Sequence, residues 1–270
     1  MKVIDVHTHI FPDAIADKAT DVIVDCFPPP EPTHHRGKAE ELARTLDTAG
    51  ISYAMVFAAA TSARQVEKIH RFIYEQAQQY PKFIPCGTLH VEYESYVEEL
   101  RWLREHGIYG VKIHPEMQHF ALDDPRLMPM YAEMERNDMF LIAHMGDPRT
   151  DLSGPAHMLP IAARFPQLRC IACHLGNWGD WRPETIRPLA QLPNVYTDIS
   201  STFSYVTGDH KPLYEMLHTY DPTHVFYGSD YPVWCPVDEL ERAKHLDLEP
   251  QLLEDILYNN FVKFYHYRKL

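Results

Sequence analysis

Short apolar runs alternate with longer amphipathic stretches along the whole sequence, which predicts the α/β class and, within it, a single (β/α)8 TIM barrel. Eight strand candidates occur, each followed by a stretch with helical spacing. The 270 residues, 45% of them hydrophobic, suit one large domain over 1–270, with nothing left for another. An open doubly wound sheet is the alternative, but it normally has fewer strands and a glycine-rich phosphate-binding turn, which this sequence lacks.

The strand candidates are apolar runs, the pattern of parallel strands that are buried on both faces. They cover residues 2–7, 53–59, 83–89, 110–114, 140–145, 169–175, 195–200 and 225–230. Between them, apolar residues recur with the spacing of one helix face. These helical stretches lie near 38–49, 62–79, 92–106, 126–137, 155–165, 183–191, 211–219 and 238–257.

The connection after the first strand is long, from about residue 10 to 37, and contains the run Phe27-Pro28-Pro29-Pro30-Glu31-Pro32. Proline there excludes a regular helix and favours extended backbone. Long loops at the carboxyl ends of barrel strands form lids and substrate walls. We interpret His34, His35 and Arg36 as a solvated part of this loop.

Composition argues against several classes of protein. No apolar run approaches the roughly 20 residues of a spanning helix, and from the charged, histidine-bearing first strand we expect no signal peptide. Five scattered cysteines indicate a reducing compartment, and a formal charge of −13 argues against a nucleic-acid partner. We expect a cytoplasmic protein that acts on a small molecule without a membrane. A homodimer is compatible with the fold, although the sequence does not fix the oligomeric state.

The first strand, Val3-Ile4-Asp5-Val6-His7-Thr8-His9, carries the first candidate site residues. Period-two alternation predicts that Asp5, His7 and His9 share one face. Two imidazoles on one face can reach one cation, and neutral imidazole is a favoured ligand of first-row metals. A hydrogen-bonded histidine pair without a metal is the alternative at this point.

Polar residues also follow the apolar runs of five later strands. These residues are Lys112 and His114 on strand four, His144 on strand five, His174 on strand six, Asp198 on strand seven and Asp230 on strand eight. Barrel sites are built where the carboxyl ends of the strands meet. Such an accumulation therefore predicts one polar site at that rim.

Cys170 and Cys173 have the spacing of a Cys-x-x-Cys metal or redox pair. On a strand, however, positions three apart face opposite sides. We therefore interpret both as structural cysteines.

Taken together, these motifs resemble the amidohydrolase superfamily. The resemblance rests on the His-x-His of strand one, the lone histidines after strands five and six, and the run 228–232 (Gly-Ser-Asp-Tyr-Pro). The segments 110–115 (Gly-Val-Lys-Ile-His-Pro) and 259–261 (Asn-Asn-Phe) are similar to the branch of metal-dependent TIM-barrel hydrolases that includes aminocarboxymuconate-semialdehyde decarboxylase. The match extends over essentially the whole chain.

The resemblance implies that His7, His9, His144 and Asp230 hold a divalent metal, with His174 beside the metal-bound water as acid or base. Zinc is favoured, and manganese, iron or nickel would suit the same ligands. Some superfamily members carry a modified lysine on strand four that bridges two metals, so Lys112 leaves a second metal open. We favour one metal. The alternative for Lys112 is a buried ion pair with a carboxylate, and for Asp198 we favour a hydrogen-bonded strand carboxylate.

The substrate wall is predicted from residues just beyond the rim. The candidates for substrate binding are His114, Lys112, Asn177, Trp178 and Trp234. The two tryptophans could equally cap the barrel hydrophobically.

The leading functional prediction is hydrolysis of a small amide, lactone or ester through a metal-activated water, with Asp230 or His174 moving the proton. The alternative is non-oxidative decarboxylation of a small unsaturated or aromatic acid, in which His174 would protonate carbon. Arg36, Lys112 or Arg149 could then bind the substrate carboxylate.

Two further alternatives are weaker. Metal-dependent deoxyribonucleases also begin with His-x-His, but they usually carry a glutamate ligand on strand four, where this chain has Lys112-Ile113-His114. A non-catalytic scaffold is disfavoured because every residue needed for the metal is present.

Overall fold

The computed structural model describes residues 2–30, 32–267 and 270. Eight parallel strands follow one another in sequence order around a single sheet, which confirms the predicted (β/α)8 barrel. The strands are β1 (Ile4–His9), β2 (Tyr53–Phe57), β3 (Phe83–Thr88), β4 (Gly110–Ile113), β5 (Phe140–Ala143), β6 (Arg169–Ala172), β7 (Val195–Asp198) and β8 (Val225–Phe226).

Backbone hydrogen bonds between the first and last strands close the barrel. The Val6 N–H donates to the Tyr227 carbonyl at 2.9 Å, and the Asp230 N–H donates to the His7 carbonyl at 2.8 Å. The Asp5 carboxylate accepts from the Ser229 N–H at 2.9 Å. This closure fixes the segment after β8 directly beside the end of β1.

Helices connect the strands on the outside of the barrel. They are α1 (Asp13–Cys26), α2 (Ala39–Ala49), α3 (Val66–Gln79), α4 (Tyr96–Glu105), α5 (Pro115–Gln118), α6 (Met128–Arg136), α7 (Pro155–Arg164), α8 (Pro183–Ala190), α9 (Lys211–Leu217), α10 (Pro236–Lys244), α11 (Pro250–Glu254) and α12 (Asn260–Phe264). A π-helical turn, Asp255–Asn259, joins the last two.

Several elements differ from the sequence prediction, and besides α1 two helices, α5 and α12, lie outside every predicted helical stretch. The connection from 10 to 37 contains helix α1, because the prolines lie after its end rather than within it. The helix predicted over 238–257 is interrupted after Lys244, and Pro250, at a first helical position, begins α11. The last strand ends at Phe226 rather than 230, and Asp230 has a left-handed φ of 62°.

A β-bulge in β1 corrects the predicted alternation. Asp5 pairs with Ala54 and Thr8 pairs with Val56, so β1 has one more residue than β2 between these two pairs. Ala54 belongs to the apolar layer between sheet and helices, whereas His9 pairs with Phe57 of the barrel interior. The prediction that Asp5 shares a face with His9 is therefore wrong, because an extra residue reverses the parity of a strand.

The apolar core has two parts. The larger lies between the sheet and the surrounding helices, and the smaller fills the barrel interior below the polar rim. Aromatic rings of the carboxyl-terminal segment, among them Phe261 and Phe264, pack against Phe226 and form the floor of that interior. Cys170 lies in the outer part and Cys173 in the inner part, as predicted. All five cysteines are free.

Within the described ranges, no helix combines the length and the apolar character required to cross a bilayer.

The floor predicts a stability effect that is independent of the rim. Phe261 is 1% exposed, and Phe261→Ala would leave a cavity among aromatic rings. We expect the free energy of unfolding in urea to fall by about 3–5 kcal/mol. Lys263→Ala, an exposed position in the same helix, is the control and should change stability little. An equal loss in both variants would contradict this account of the floor.

Candidate metal centre

Two strand ends bring three metal-ligand side chains together. His7 and His9 lie at the end of β1, and Asp230 follows β8. The Asp230 Oδ1 atom lies 3.3 Å from His7 Nε2 and 3.5 Å from His9 Nε2. Three of the four predicted ligands therefore converge on one point.

The spacing of these atoms fits a divalent cation. Bonds of about 2.0–2.1 Å in a tetrahedral site place neighbouring ligand atoms about 3.4 Å apart. The two observed separations, 3.3 and 3.5 Å, lie on either side of that value. The chain thus holds the donor atoms at the distance that a bound metal requires.

The protonation states also fit. Burial, aided by the charge of Lys112, lowers the pKa of His7 to about 3, and burial lowers the pKa of His9. Burial alone would raise the pKa of Asp230, but the neighbouring His7 and His9 outweigh it and hold that pKa well below its usual value. Neutral imidazoles and an ionised carboxylate are the forms that bind a metal.

Asp198 orients His7. Its Oδ2 atom lies 3.0 Å from His7 Nδ1, and its Oδ1 atom accepts from the backbone N–H groups of His174 and Ser200 at 3.1 Å each. The favoured interpretation of Asp198 as a hydrogen-bonded strand carboxylate agrees with this. Because Nδ1 is engaged, Nε2 is the nitrogen of His7 that faces Asp230 and is available to a metal.

His174 lies between His7 and His144. Its ring centre is 4.9 Å from that of His7, and its Nε2 atom is 3.0 Å from His144 Nδ1. Its Nδ1 atom faces the Ser200 carbonyl at 2.9 Å. The structure therefore connects His144 to the three converging residues through His174 rather than placing it among them.

His144 belongs to a second group of ligand-type residues with His114 and Glu116. The rings of His114 and His144 stack at 4.0 Å. His114 Nδ1 and Glu116 Oε2 lie 3.6 Å apart, and both atoms are buried without a hydrogen-bond partner. This second group adjoins the first and also holds its imidazoles neutral, because burial lowers the pKa of His114 and His144.

Lys112 is completely buried beneath the centre. Its Nζ atom lies 3.2 Å from His7 Nε2 and 3.5 Å from Cys173 Sγ, and 4.8 Å above the Phe57 ring. Among the described residues, no carboxylate lies within ion-pair distance of Lys112, so the buried ion pair considered for Lys112 does not form. Lys112 sits under the ligands and does not line the cavity.

The cavity over the centre has a volume of about 30 Å³. Two of the predicted wall residues, His114 and Trp178, line it. Asn177 instead donates to Thr185 Oγ1 at 3.1 Å, and Trp234 donates to Ser201 Oγ at 2.9 Å. Asn177 and Trp234 thus lie outside the wall.

Several residues at the site were not anticipated from the sequence. Phe27 and Tyr205 line the cavity, and the Ser201 hydroxyl donates to Asp230 Oδ2, so Trp234 acts on Asp230 through Ser201. The pair Ser200-Ser201 begins two residues after the end of β7, near the predicted rim, and this position was a signal that the sequence offered. Nothing in the sequence marks Phe27 as a site residue, apart from its position just before the prolines.

Backbone conformation marks the same residues. His174 and Asp230 both adopt left-handed φ values, 60° and 62°, which are uncommon for residues other than glycine, although aspartate and histidine adopt them more often than most. Such strain concentrates at functional sites, where the surrounding structure holds it. Here it directs two polar side chains into the mouth of the barrel.

Comparisons with known proteins identify the family and the fold. A family model described as amidohydrolase matches residues 4–267. An uncharacterized TIM-barrel protein from Bordetella bronchiseptica has a TM-score of 0.78 at 20% identity, with 99% of each chain covered.

Two solved decarboxylases are also similar in fold. The 5-carboxyvanillate decarboxylase of Novosphingobium aromaticivorans, solved with manganese and 4-hydroxy-3-methoxy-5-nitrobenzoic acid, has a TM-score of 0.74 at 17% identity, covering 98% of this chain and 96% of that one. A dihydroxybenzoic acid decarboxylase of a Polaromonas species, solved with manganese and 2-nitroresorcinol, has a TM-score of 0.69 at 12% identity, covering 98% and 97%.

The contact between Asp198 and His7 predicts a loss of metal affinity in Asp198→Asn. The carboxylate of Asp198 accepts hydrogen bonds on both oxygens, whereas the amide of asparagine has only one acceptor oxygen and holds the His7 ring less firmly. We therefore expect manganese affinity to fall about 10- to 100-fold. Titration followed by electron paramagnetic resonance measures it. Asp180→Asn, which alters a surface carboxylate paired with Arg182, is the control. Unchanged affinity in Asp198→Asn would show that Asp198 does not orient a ligand.

The low pKa values of the buried ligands predict a flat pH profile of metal binding. Since the pKa of His7 is about 3 and that of His9 is also lowered, few protons must leave when the metal enters above about pH 5. We expect manganese affinity to change less than about threefold between about pH 7 and 5.5. Two ordinary histidines with a pKa of about 6.5 would lose about 70-fold over that range, and such a loss would contradict the assigned states.

Proposed function

The chain belongs to the amidohydrolase family, and on that premise we propose that it is a metal-dependent decarboxylase of a small unsaturated or aromatic carboxylic acid. One observation carries the proposal: His7, His9 and Asp230 converge at the rim with spacings of 3.3 and 3.5 Å. Support for decarboxylation rather than hydrolysis comes from the two similar barrels that are decarboxylases.

We assign one divalent ion to His7, His9 and Asp230, with His144 as the fourth ligand once its Nδ1 atom turns from His174 to the ion. His144 lines the same cavity as His9 and Asp230. We propose manganese as well as the zinc predicted from the sequence, because both decarboxylases were solved with manganese. When bound, the ion supplies a Lewis acid that orients and polarises an oxygen of the substrate.

His174 is the proposed proton donor. Its Nδ1–H points at the Ser200 carbonyl at 2.9 Å, and this contact leaves Nε2 as the atom that gains and gives a proton. As the bond between the ring or alkene carbon and the carboxylate breaks, its electron pair stays on that carbon. The Nε2 proton of His174 then forms the new C–H bond, and carbon dioxide leaves.

The three cations considered for the substrate carboxylate are differently placed. Arg36 is paired with Asp17 and Asp21, and Arg149 with Asp147. Lys112 lies under the ligands and away from the cavity. The metal position itself is therefore the proposed site of the substrate's reacting carboxylate.

Hydrolysis of a small amide, lactone or ester is the second candidate. Asp230 lies against His7 and His9 in the same cavity as His174, so either could take the proton of an attacking water. We also propose a small-molecule substrate, no nucleic-acid or membrane partner, a cytoplasmic location and a homodimer.

The two candidates give different products. Manganese- and zinc-loaded protein should release carbon dioxide from at least one member of a panel of hydroxybenzoic and unsaturated acids, measured by a coupled bicarbonate assay. Cleavage of lactones or amides by the same protein, with no carbon dioxide from any acid, would overturn the decarboxylase proposal in favour of the second candidate.

The proposed roles of His174 as proton donor and His144 as metal ligand can be tested separately. We expect His174→Ala to keep its metal and lose turnover by about 10²-fold or more, because acid–base help is removed while the ligands stay. His144→Ala should lose bound metal. Elemental analysis of both variants, together with turnover, tests this. Full metal content in His144→Ala would remove it from the ligand set, and near-native turnover in His174→Ala would refute its role.

A further inference from the structure

The cavity over the metal centre is small for a substrate. Its volume of about 30 Å³ accommodates about two water molecules, since one requires about 10–15 Å³ measured this way. A much larger groove of about 540 Å³ adjoins it, within the range of ligand pockets. His9, Ile23 and His114 line both spaces. The groove is thus continuous with the centre.

Two helices present apolar stripes to each other across this groove. On α1 the stripe includes Ile15, Ala19 and Val22, and on α3 it includes Ile69 and Phe72. Positions three and four apart lie on one helix face. The stripes line an open space instead of packing together. Ile15 and Val22 are 52% and 42% exposed, and no other large apolar side chain in the described part of the chain is that exposed.

The groove also carries positive charge. Lys18 and Lys68 line it, and neither is ion-paired with a carboxylate of the described residues. Arg36, in contrast, lies against α1 in pairs with Asp17 and Asp21. In a chain with a net charge of −13, two unpaired ammonium groups beside an apolar groove favour an anionic ligand.

We propose that the groove between α1 and α3 binds the non-reacting part of the substrate, an apolar chain or ring that ends in an anionic group such as a carboxylate. The reacting end lies over His9 and His114, and the anionic end lies at Lys18 and Lys68. This assignment rests on the proposed function, because it takes the metal centre as the site of reaction. It extends the substrate class beyond acids that the inner cavity alone can hold.

The test uses linear α,ω-dicarboxylates and the matching monocarboxylates, titrated calorimetrically into manganese-loaded protein. Affinity should rise about three- to fourfold for each added methylene until the groove is filled. Ala19→Trp fills the groove and should abolish this dependence on length. Ala14→Trp, the same change at an exposed position of α1 that does not line the groove, should preserve it.

Charge is tested separately. In the double variant Lys18→Gln, Lys68→Gln, long dicarboxylates should bind about five- to tenfold more weakly, whereas monocarboxylates of equal length should bind as before. Equal weakening of both series would overturn the assignment of the anionic end.

Metal content, measured on the same samples, separates the possible failures. A protein that holds no manganese refutes the proposed function. A manganese-loaded protein whose affinity does not change with chain length, or changes equally in Ala19→Trp and Ala14→Trp, refutes the groove. A dimer in sedimentation that Ala19→Trp dissociates would assign the groove to an interface between copies and would also overturn the proposal.

Discussion

The closure of the barrel between its first and last strands is the constraint on which the site depends. The segment after β8 donates backbone hydrogen bonds to β1 and receives them from it, at 2.7 to 2.9 Å. These bonds place Asp230 beside His7 and His9 although more than 220 residues separate them in sequence. Without closure, the imidazoles would face an unpaired sheet edge, and no carboxylate would complete the group.

Burial then determines the chemistry of the group. The same desolvation that holds the histidines neutral would raise the pKa of Asp230, and the adjacent histidines offset it, while the Ser201 hydroxyl donates to the same carboxylate. Asp198 and Ser200 fix ring orientations from β7 and the residues after it. The ligand set is therefore preorganised by three strands that differ in position along the chain, which is the usual logic of sites at the carboxyl face of a barrel.

The eight strands and the polar rim could be predicted from the sequence, because apolar runs indicate buried strands and the polar residues that end these runs indicate the site. The β-bulge in β1 could not be predicted, since an inserted residue leaves the sequence pattern of a strand unchanged while reversing its faces. Helix α1 was not predicted, because the prolines that follow it favour extended backbone and were taken to exclude a helix from the whole connection. The grouping of His144 with His114 and Glu116 depends on side-chain directions that no spacing along the chain reveals.

The long separation between the two closing strands has a consequence for how the chain is made. At about 5–20 residues per second, a ribosome needs on the order of ten seconds or more to advance from His7 to Asp230. During that interval β1 can pair with β2 on one side, while its other edge stays bare. A nascent chain of this protein thus keeps an unpaired edge on β1 until the segment after β8 has been made, and such an edge favours pairing with another chain.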